Sequence, residues 1–447
     1  MVAQLHQDCF EELARNALLF RDLGGLDPVS VAARAASMVA AQTAYFALLD
    51  SIGPSCTGAG FSGTLVALNL LRQAPAGTHI SLIERGCAFG PGLAYSTANS
   101  SLQLNVPAGR MSAFEDAPRD FLDWLQRRAK VVVDEGAFVP RQLYGAYLQH
   151  LLDTALQQRT AGALELVRDN VEAVARNGSR LRLTLGSGRT LVTNIAVLAM
   201  GYTQPEPPTL EQPALYDSSC WRPDPWAADA FSDLDPNSAV MLIGSGLTMV
   251  DAVISLFDRG HVGPIHAISR RGLLLRHLRP WWDVHRHRML GTVADLIDAA
   301  RASGQLCITA GRIVGGSATG DPVAVNYRPR GKDASAMLHA SRVVNCTGPT
   351  TGFGPGNDPL IENLVHDGVV HPDALRLGLD VAASGAVRSR NGAISPHLFA
   401  SGPLTRGAFW EITAVPDIRR QCAALASHVA GLLRVRGAAS WDSLLYA

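Results

Sequence analysis

Three glycines at fixed spacing, Gly58, Gly60 and Gly63, stand just ahead of the apolar run Thr64-Leu65-Val66-Ala67-Leu68-Asn69-Leu70-Leu71. This spacing suits the holding of a phosphate by backbone alone. A first glycine permits a tight strand-to-helix turn, a second lets a pyrophosphate approach the main chain, and a third lets helix and strand pack closely. The helix start offers unpaired N–H groups to the anion. About 20 residues further on, the strand-like stretch His79-Ile80-Ser81-Leu82-Ile83 ends in Glu84, whose carboxylate suits a ribose hydroxyl. Glycines, helix, strand and acid in this order predict a dinucleotide site. An ordinary tight turn leaves Glu84 without a reason.

The pattern then recurs. Ala239 to Ile243 is an apolar strand running into Gly244-Ser245-Gly246-Leu247-Thr248-Met249, a helix over 250–257 and a strand over 265–269 that ends in Arg270-Arg271. Met249 holds the third glycine's place, which predicts a wider helix-to-strand spacing. An arginine where the first copy has an acid suits a 2′-phosphate, and so NADPH over NADH. Two copies of one nucleotide unit are stronger evidence than either alone.

Few other residues offer chemistry. The seven cysteines, at 9, 56, 87, 220, 307, 346 and 422, include no CxxC pair, which argues for reduced thiols and against zinc or a dithiol redox centre. His285 and His287, two apart, read as a polar face and not a metal pair, so no metal is expected. Arg279 and Trp281, in the stretch Arg276 to Asp283, combine a stacking face with fixed guanidinium donors suited to a flat aromatic anion. The bland reading of that stretch is a basic surface segment or a phosphate-holding arm. Arg110, in an irregular loop over 104–112, is a third residue of this type. Trp410 and the helix start at Thr413 to Val415 suit a flavin ring, with core packing the plain alternative for Trp410.

The elements that must position these residues follow from composition and punctuation. With 447 residues, 47% hydrophobic and 17% charged, the chain reads as a well-packed α/β protein of two or three domains. Zero formal net charge gives no reason to expect nucleic acid or an anionic membrane as partner. The N-terminus has neither a basic n-region nor a small-residue cleavage site, and Arg34 and Gln42 interrupt its alanine-rich stretch; a cytoplasmic protein without a membrane span is expected. Ser51 to Thr57 makes a poor central strand, since Pro54 cannot donate to a ladder. The spacing predicts helices over 120–128 and 144–157, then a meander over 164–167, 171–174 and 181–185. Prolines at 205, 207 and 208 mark a boundary, and the strand Leu398 to Ala400 ends at Gly402 before a long helix from Asp417 to Val435.

The chain resembles the two-dinucleotide-fold flavoproteins, in the FAD/NAD(P)-binding group related to flavin-dependent monooxygenases. The matching stretches are Gly58 to Thr64, Leu104 to Phe114, Leu242 to Asp251, Ile268 to Gly272, Asn345 to Pro349 and Phe399 to Gln421. The resemblance implies two Rossmann-like domains, the NAD(P) domain inserted into the FAD domain. The expected division is a helical extension over 1–50, FAD-binding parts over 51–205 and 346–447, and an NAD(P)-binding domain over 236–345. It implies FAD on Gly58, Gly60, Ser62, Gly63, Glu84, Arg85, Asn105, Gly402, Thr413 and Val415. It places NADH or NADPH on Gly244, Gly246, Thr248, Arg270, Arg271 and Gly348.

With no dithiol or metal to take electrons from a flavin, O2 is the ready acceptor. The expected enzyme is an NAD(P)H-consuming monooxygenase acting on a small electron-rich substrate through a flavin C4a-hydroperoxide. A small branch of similar proteins hydroxylates urate, so the resemblance implies urate as substrate, converted to 5-hydroxyisourate in purine catabolism, with Arg110, Arg279 and Trp281 around it. Rivals are an N-hydroxylating amino-acid or amine monooxygenase, a flavin reductase serving a partner protein, and a non-catalytic nucleotide sensor. The oligomeric state is not legible.

Overall fold

The computed structural model describes residues 53–158, 163–201, 205–227, 229–274, 291–348, 358–410 and 412–445, with side chains through 435. The extension over 1–50, Arg279, Trp281, His285, His287 and Glu411 lie outside the described residues.

The chain enters at Gly53, where a Cβ would lie 1.7 Å from the His79 carbonyl oxygen, so no larger residue fits. Strand β1 (Pro54–Thr57) follows, all four residues buried. Pro54 is tolerated because it is the strand's first residue, where a missing N–H spares the ladder beyond it. Helix α1 (Phe61–Gln73) buries ten consecutive residues from Phe61 to Leu70. A helix apolar on every side must be covered on every side. Strand β2 (His79–Glu84) lies parallel to β1, in register Ser55 to Ser81.

Helix α2 (Arg141–Gln157) leads to β3 (Ala163–Arg168), which pairs in parallel with β2 as the edge of the first sheet. This corrects the expected meander, whose first strand was to be 164–167. Period-two alternation identifies a strand but not its partner. The meander is β4 (Val171–Asn177), β5 (Arg180–Leu185) and β6 (Thr190–Thr193), a separate antiparallel sheet. The chain then returns to the first sheet as β7 (Ile195–Leu198), parallel to β1.

The second lobe repeats the plan. Short β8 (Trp221–Arg222), ahead of residue 236, is its edge; β9 (Val240–Ile243), α3 (Leu247–Asp258) and β10 (Ile265–Ser269) form the nucleotide unit. After α4 (Gly291–Ala302) come β11 (Leu306–Gly316), β12 (Val323–Pro329), β13 (Ala336–Ala340) and β14 (Arg342–Asn345). The resulting sheet has the order β13-β12-β11-β10-β9-β14-β8. Met249, at the third glycine's place, is fully buried in the core between this sheet and its helices.

The chain goes back to the first lobe through α5 (Pro359–His366), β15 (Ala386–Arg388), β16 (Ile394–Ala400) and α6 (Val415–Leu445). Strand β16 lies parallel to β7, completing the sheet β15-β16-β7-β1-β2-β3, so the second lobe is inserted in the first. Residues Val415 to Val429 of α6 cover the outer side of α1 in one core, while α5 and the meander cover the opposite face of the sheet. Among the described residues no helix is long and apolar enough to cross a membrane.

Candidate functional site

The glycines of the first loop meet different surroundings. Gly58 has φ +94°, and a Cβ there would come within 2.7 Å of the Ala199 carbonyl oxygen at the end of β7. Gly63 abuts the turn itself: its Cβ would stand 1.9 Å from the Gly58 carbonyl oxygen. Gly60 is different. A Cβ there would meet only Gly92 Cα at 3.4 Å, so the space above it is open to a ligand. Gly60 also caps α1 without any side-chain hydrogen bond, which leaves the first helical amides to an anion.

Glu84 fastens the loop as well as facing it. One carboxylate oxygen accepts from Ala59 N at 2.7 Å and the other from Gly86 N at 2.8 Å. Each oxygen keeps a further acceptor position. Arg85, 55% exposed, pairs with Asp358 at 3.2 Å; Asp358 in turn caps α5 through Leu360 N and Ile361 N. Ser62 packs against Gly402, whose Cβ would stand 2.3 Å from the hydroxyl, and Gly402 N donates to Gln421 Oε1 at 2.7 Å. The loop is thereby tied to the chain's return after β16.

The second loop is built alike. Gly244 has φ +123°, and a Cβ would clash with the Cys346 carbonyl oxygen at 2.3 Å. Gly246 caps α3, again without a side-chain hydrogen bond, and nothing lies within 4 Å of its Cβ position. Ser245 donates to the Leu273 carbonyl at 2.7 Å and meets the Ser269 hydroxyl at 2.8 Å, which pins the loop beside Arg270 and Arg271. Both arginines are exposed. Gly348, with φ +92°, stands clear of other atoms at the end of β14.

A cleft of about 630 Å³ reaches from the first glycine loop to Thr248 in the first turn of α3. Gly58, Gly60, Ser62, Glu84, Arg85, Thr248 and Thr413 all line it, as do Tyr95, Arg141 and Trp226. Gly63, Gly244, Gly246, Arg270, Arg271, Gly348 and Gly402 do not line it, and Val415, the first residue of α6, is buried in the core. Asn105 and Arg110 do not line the cleft, and Arg110 is exposed on a short helical turn. Trp410 is not buried in the core and does not line this cleft. It is 56% exposed with the Arg406 guanidinium 5.2 Å from its ring centre, and it borders a separate cavity of about 540 Å³. Ile412 is buried, whereas Trp410 is not.

Sequence reasoning missed what joins the lobes. Arg141 forms a two-pronged ion pair with Asp251 of α3, at 2.8 and 3.2 Å, and its Nε donates to the Gln103 carbonyl at 2.9 Å. Along the same face of α3, Asn99 donates to Ser255 at 3.4 Å and Ser101 to Asp258 at 3.0 Å. Leu102 between them is buried in the second lobe's core. The signal was an acid, Asp251, flanked by the apolar Val250 and Ala252 in the middle of a helix. Burial raises its pKa, and Arg141 opposes that shift.

Residues 56–203 match the family model described as FAD-NAD(P)-binding. No curated protein matches the sequence. Among solved structures, the chain is similar to the ornithine N-hydroxylase of Kutzneria sp. 744, at 15% identity and TM-score 0.65, over 85% of this chain and 99% of that one. A flavin monooxygenase from Stenotrophomonas maltophilia matches at 18% identity and TM-score 0.55, over 85% and 98%. The bacillithiol disulfide reductase of Staphylococcus aureus matches at 13% identity and TM-score 0.58, over 85% and 98%. Such distant likeness establishes the fold and leaves the chemistry open. The chain therefore has the α/β fold with Rossmann-like sheets of these structures, and its residues 56–203 match the FAD-NAD(P)-binding family model.

Proposed function

We propose that the chain is an FAD-dependent, NAD(P)H-consuming monooxygenase that hydroxylates the nitrogen of a small amino acid or amine. The observation that carries this reading is the single cleft running from Gly58 and Gly60 of the first loop to Thr248 in the first turn of α3. The uncapped amides of α1 would hold the FAD pyrophosphate over Gly60, and those of α3 would hold the nicotinamide nucleotide over Gly246. FAD held there would supply hydride acceptance from the nicotinamide and electron delivery to O2. The protein's share is position: Glu84 fixes the first loop, Ser245 the second, and Arg141 with Asp251 sets the lobe-to-lobe geometry.

N-hydroxylation is favoured over urate by the likeness to an ornithine N-hydroxylase. The urate reading needs a basic, aromatic clamp, and Arg110 is not on the cleft. The test follows NAD(P)H consumption and product mass together. Ornithine, lysine and simple diamines are run in parallel with urate. Gain of one oxygen on an amine, in step with NADPH loss, supports the proposal. Urate consumption in step with NADPH would replace it with the purine reading. Transfer of electrons to a protein acceptor, with neither substrate oxygenated, would favour a reductase.

A further inference from the structure

Beside the cleft, seven aromatic rings touch in sequence from its wall to the surface. Phe61 and Tyr95 line the cleft. Tyr95 meets Tyr144 at 4.7 Å between ring centres, Tyr144 meets Tyr147 at 5.6 Å, and Tyr147 meets Trp124 at 5.7 Å. Phe121 lies among them, 5.1 Å from Tyr144 and 5.0 Å from Tyr147. Trp124, half-buried, ends the path with His150 at 6.4 Å.

Packing alone accounts for the rings but not for their polar heads. The Tyr144 hydroxyl and the Trp124 Nε1 are buried with no hydrogen-bond partner among the described residues. Each such orphan costs about 1–3 kcal/mol, which phenylalanine would avoid in the same space. Tyr147 alone is equipped to lose a proton. Its hydroxyl donates to Asp120 Oδ2 in a short hydrogen bond, and its oxygen accepts from Ala113 N at 3.2 Å. What phenol and indole have that phenyl lacks is ready one-electron oxidation.

We propose that Tyr95, Tyr144, Tyr147 and Trp124 form an electron route that drains one-electron oxidants from the cofactor cleft to the surface. The oxidant is a hydroxyl radical escaping oxygen activation, or light-excited flavin. It gains one electron, a hydroxyl radical becoming hydroxide. The electron leaves Tyr147 through the touching rings of Tyr144 and Tyr95, and the phenolic proton passes to the Asp120 carboxylate. A neutral Tyr147 radical and a protonated Asp120 remain. A thiolate in solution, becoming a thiyl radical, returns the electron by way of Trp124, and Asp120 gives back the proton.

The proposal rests on flavin binding in the cleft, so the test separates the two. Full-length protein is loaded with FAD, its flavin content is measured, and it is excited with blue light under transient absorption and electron paramagnetic resonance. A neutral tyrosyl radical is expected, lost in Tyr147→Phe and formed more slowly in Asp120→Asn, with flavin content unchanged. Asp120→Asn decides the matter if Tyr147→Phe does not fold. Failure to take up FAD overturns the cofactor reading. Normal FAD content without a tyrosyl radical, or an equal radical signal in both variants, overturns the route.

Discussion

Arg141 and Asp251 face each other across the two dinucleotide lobes, with both guanidinium Nη atoms on the two carboxylate oxygens. Arg141 opens α2 of the first lobe, and Asp251 lies one turn into α3, directly behind the second glycine loop. The side chains are 22% and 14% exposed. A pair this dry gains little over apolar packing, but losing one partner strands the other charge.

Arg141→Ala should therefore destabilise the protein by about 2–4 kcal/mol, toward the low end of the range for fully buried pairs because part of Arg141 stays wet. Asp251→Asn should cost less, since the amide oxygen still accepts from Arg141. Denaturant unfolding of both single variants and the double variant measures the coupling. Additive losses would mean that the contact contributes nothing beyond its separate parts.

The sequence reveals the second lobe's nucleotide unit more clearly than the first lobe's opening strand. Val240 to Ile243 is an uninterrupted apolar run, whereas Pro54-Ser55-Cys56-Thr57 hides a central strand in small and polar residues. That strand is fixed by its neighbours β2 and β7, which a local pattern cannot report. Leu164 to Val167 shows the same limit: its alternation is correct for a strand, but its partner is β2, more than eighty residues back. The glycines were legible because their roles are local and steric. Arg141–Asp251 was not, because Asp251 stands out locally between apolar neighbours but nothing local names its partner 110 residues away.

The histidines of the second lobe predict a loss of stability in acid. His261 is buried, and burial lowers its pKa below the usual 6.5, with Asp235 opposing. As pH falls through 6.5, the unfolded chain takes up a proton that the folded chain refuses, so stability declines until the lowered folded value is reached. His266 shifts the same way through burial. Unfolding midpoints should drop between pH 7 and about pH 5, and His261→Leu should reduce the slope without abolishing it. An unchanged slope would remove His261 as a source.

Arg270 and Arg271 stand exposed where the second lobe's ribose is expected. Only NADPH carries a 2′-phosphate. A charge-assisted bond to phosphate is worth about 1.5–3 kcal/mol, so Arg270→Ala should raise the KM for NADPH about tenfold or more. The KM for NADH should hardly move, and FAD content should be unaffected. Equal rises for both nucleotides would place the arginine elsewhere than at the 2′-phosphate.

The final prediction separates shape from binding within one loop. Gly60 and Gly63 are three residues apart, yet they meet opposite surroundings. A Cβ at Gly63 would stand 1.9 Å from the Gly58 carbonyl oxygen and 3.3 Å from the Ala199 Cβ, with no flexible side chain to yield. Gly63→Ala should therefore cost about 3 kcal/mol or more of stability, as overpacking does where the main chain must shift. At Gly60 the nearest atom to a Cβ is Gly92 Cα at 3.4 Å, an ordinary contact. Gly60→Val should leave the unfolding midpoint almost unchanged while filling the space a pyrophosphate needs, so the purified protein should carry little FAD. Absorbance at the flavin band and a thermal melt, measured on both variants, decide it. Normal flavin content in Gly60→Val would move the pyrophosphate off this loop, whatever Gly63→Ala does to the fold.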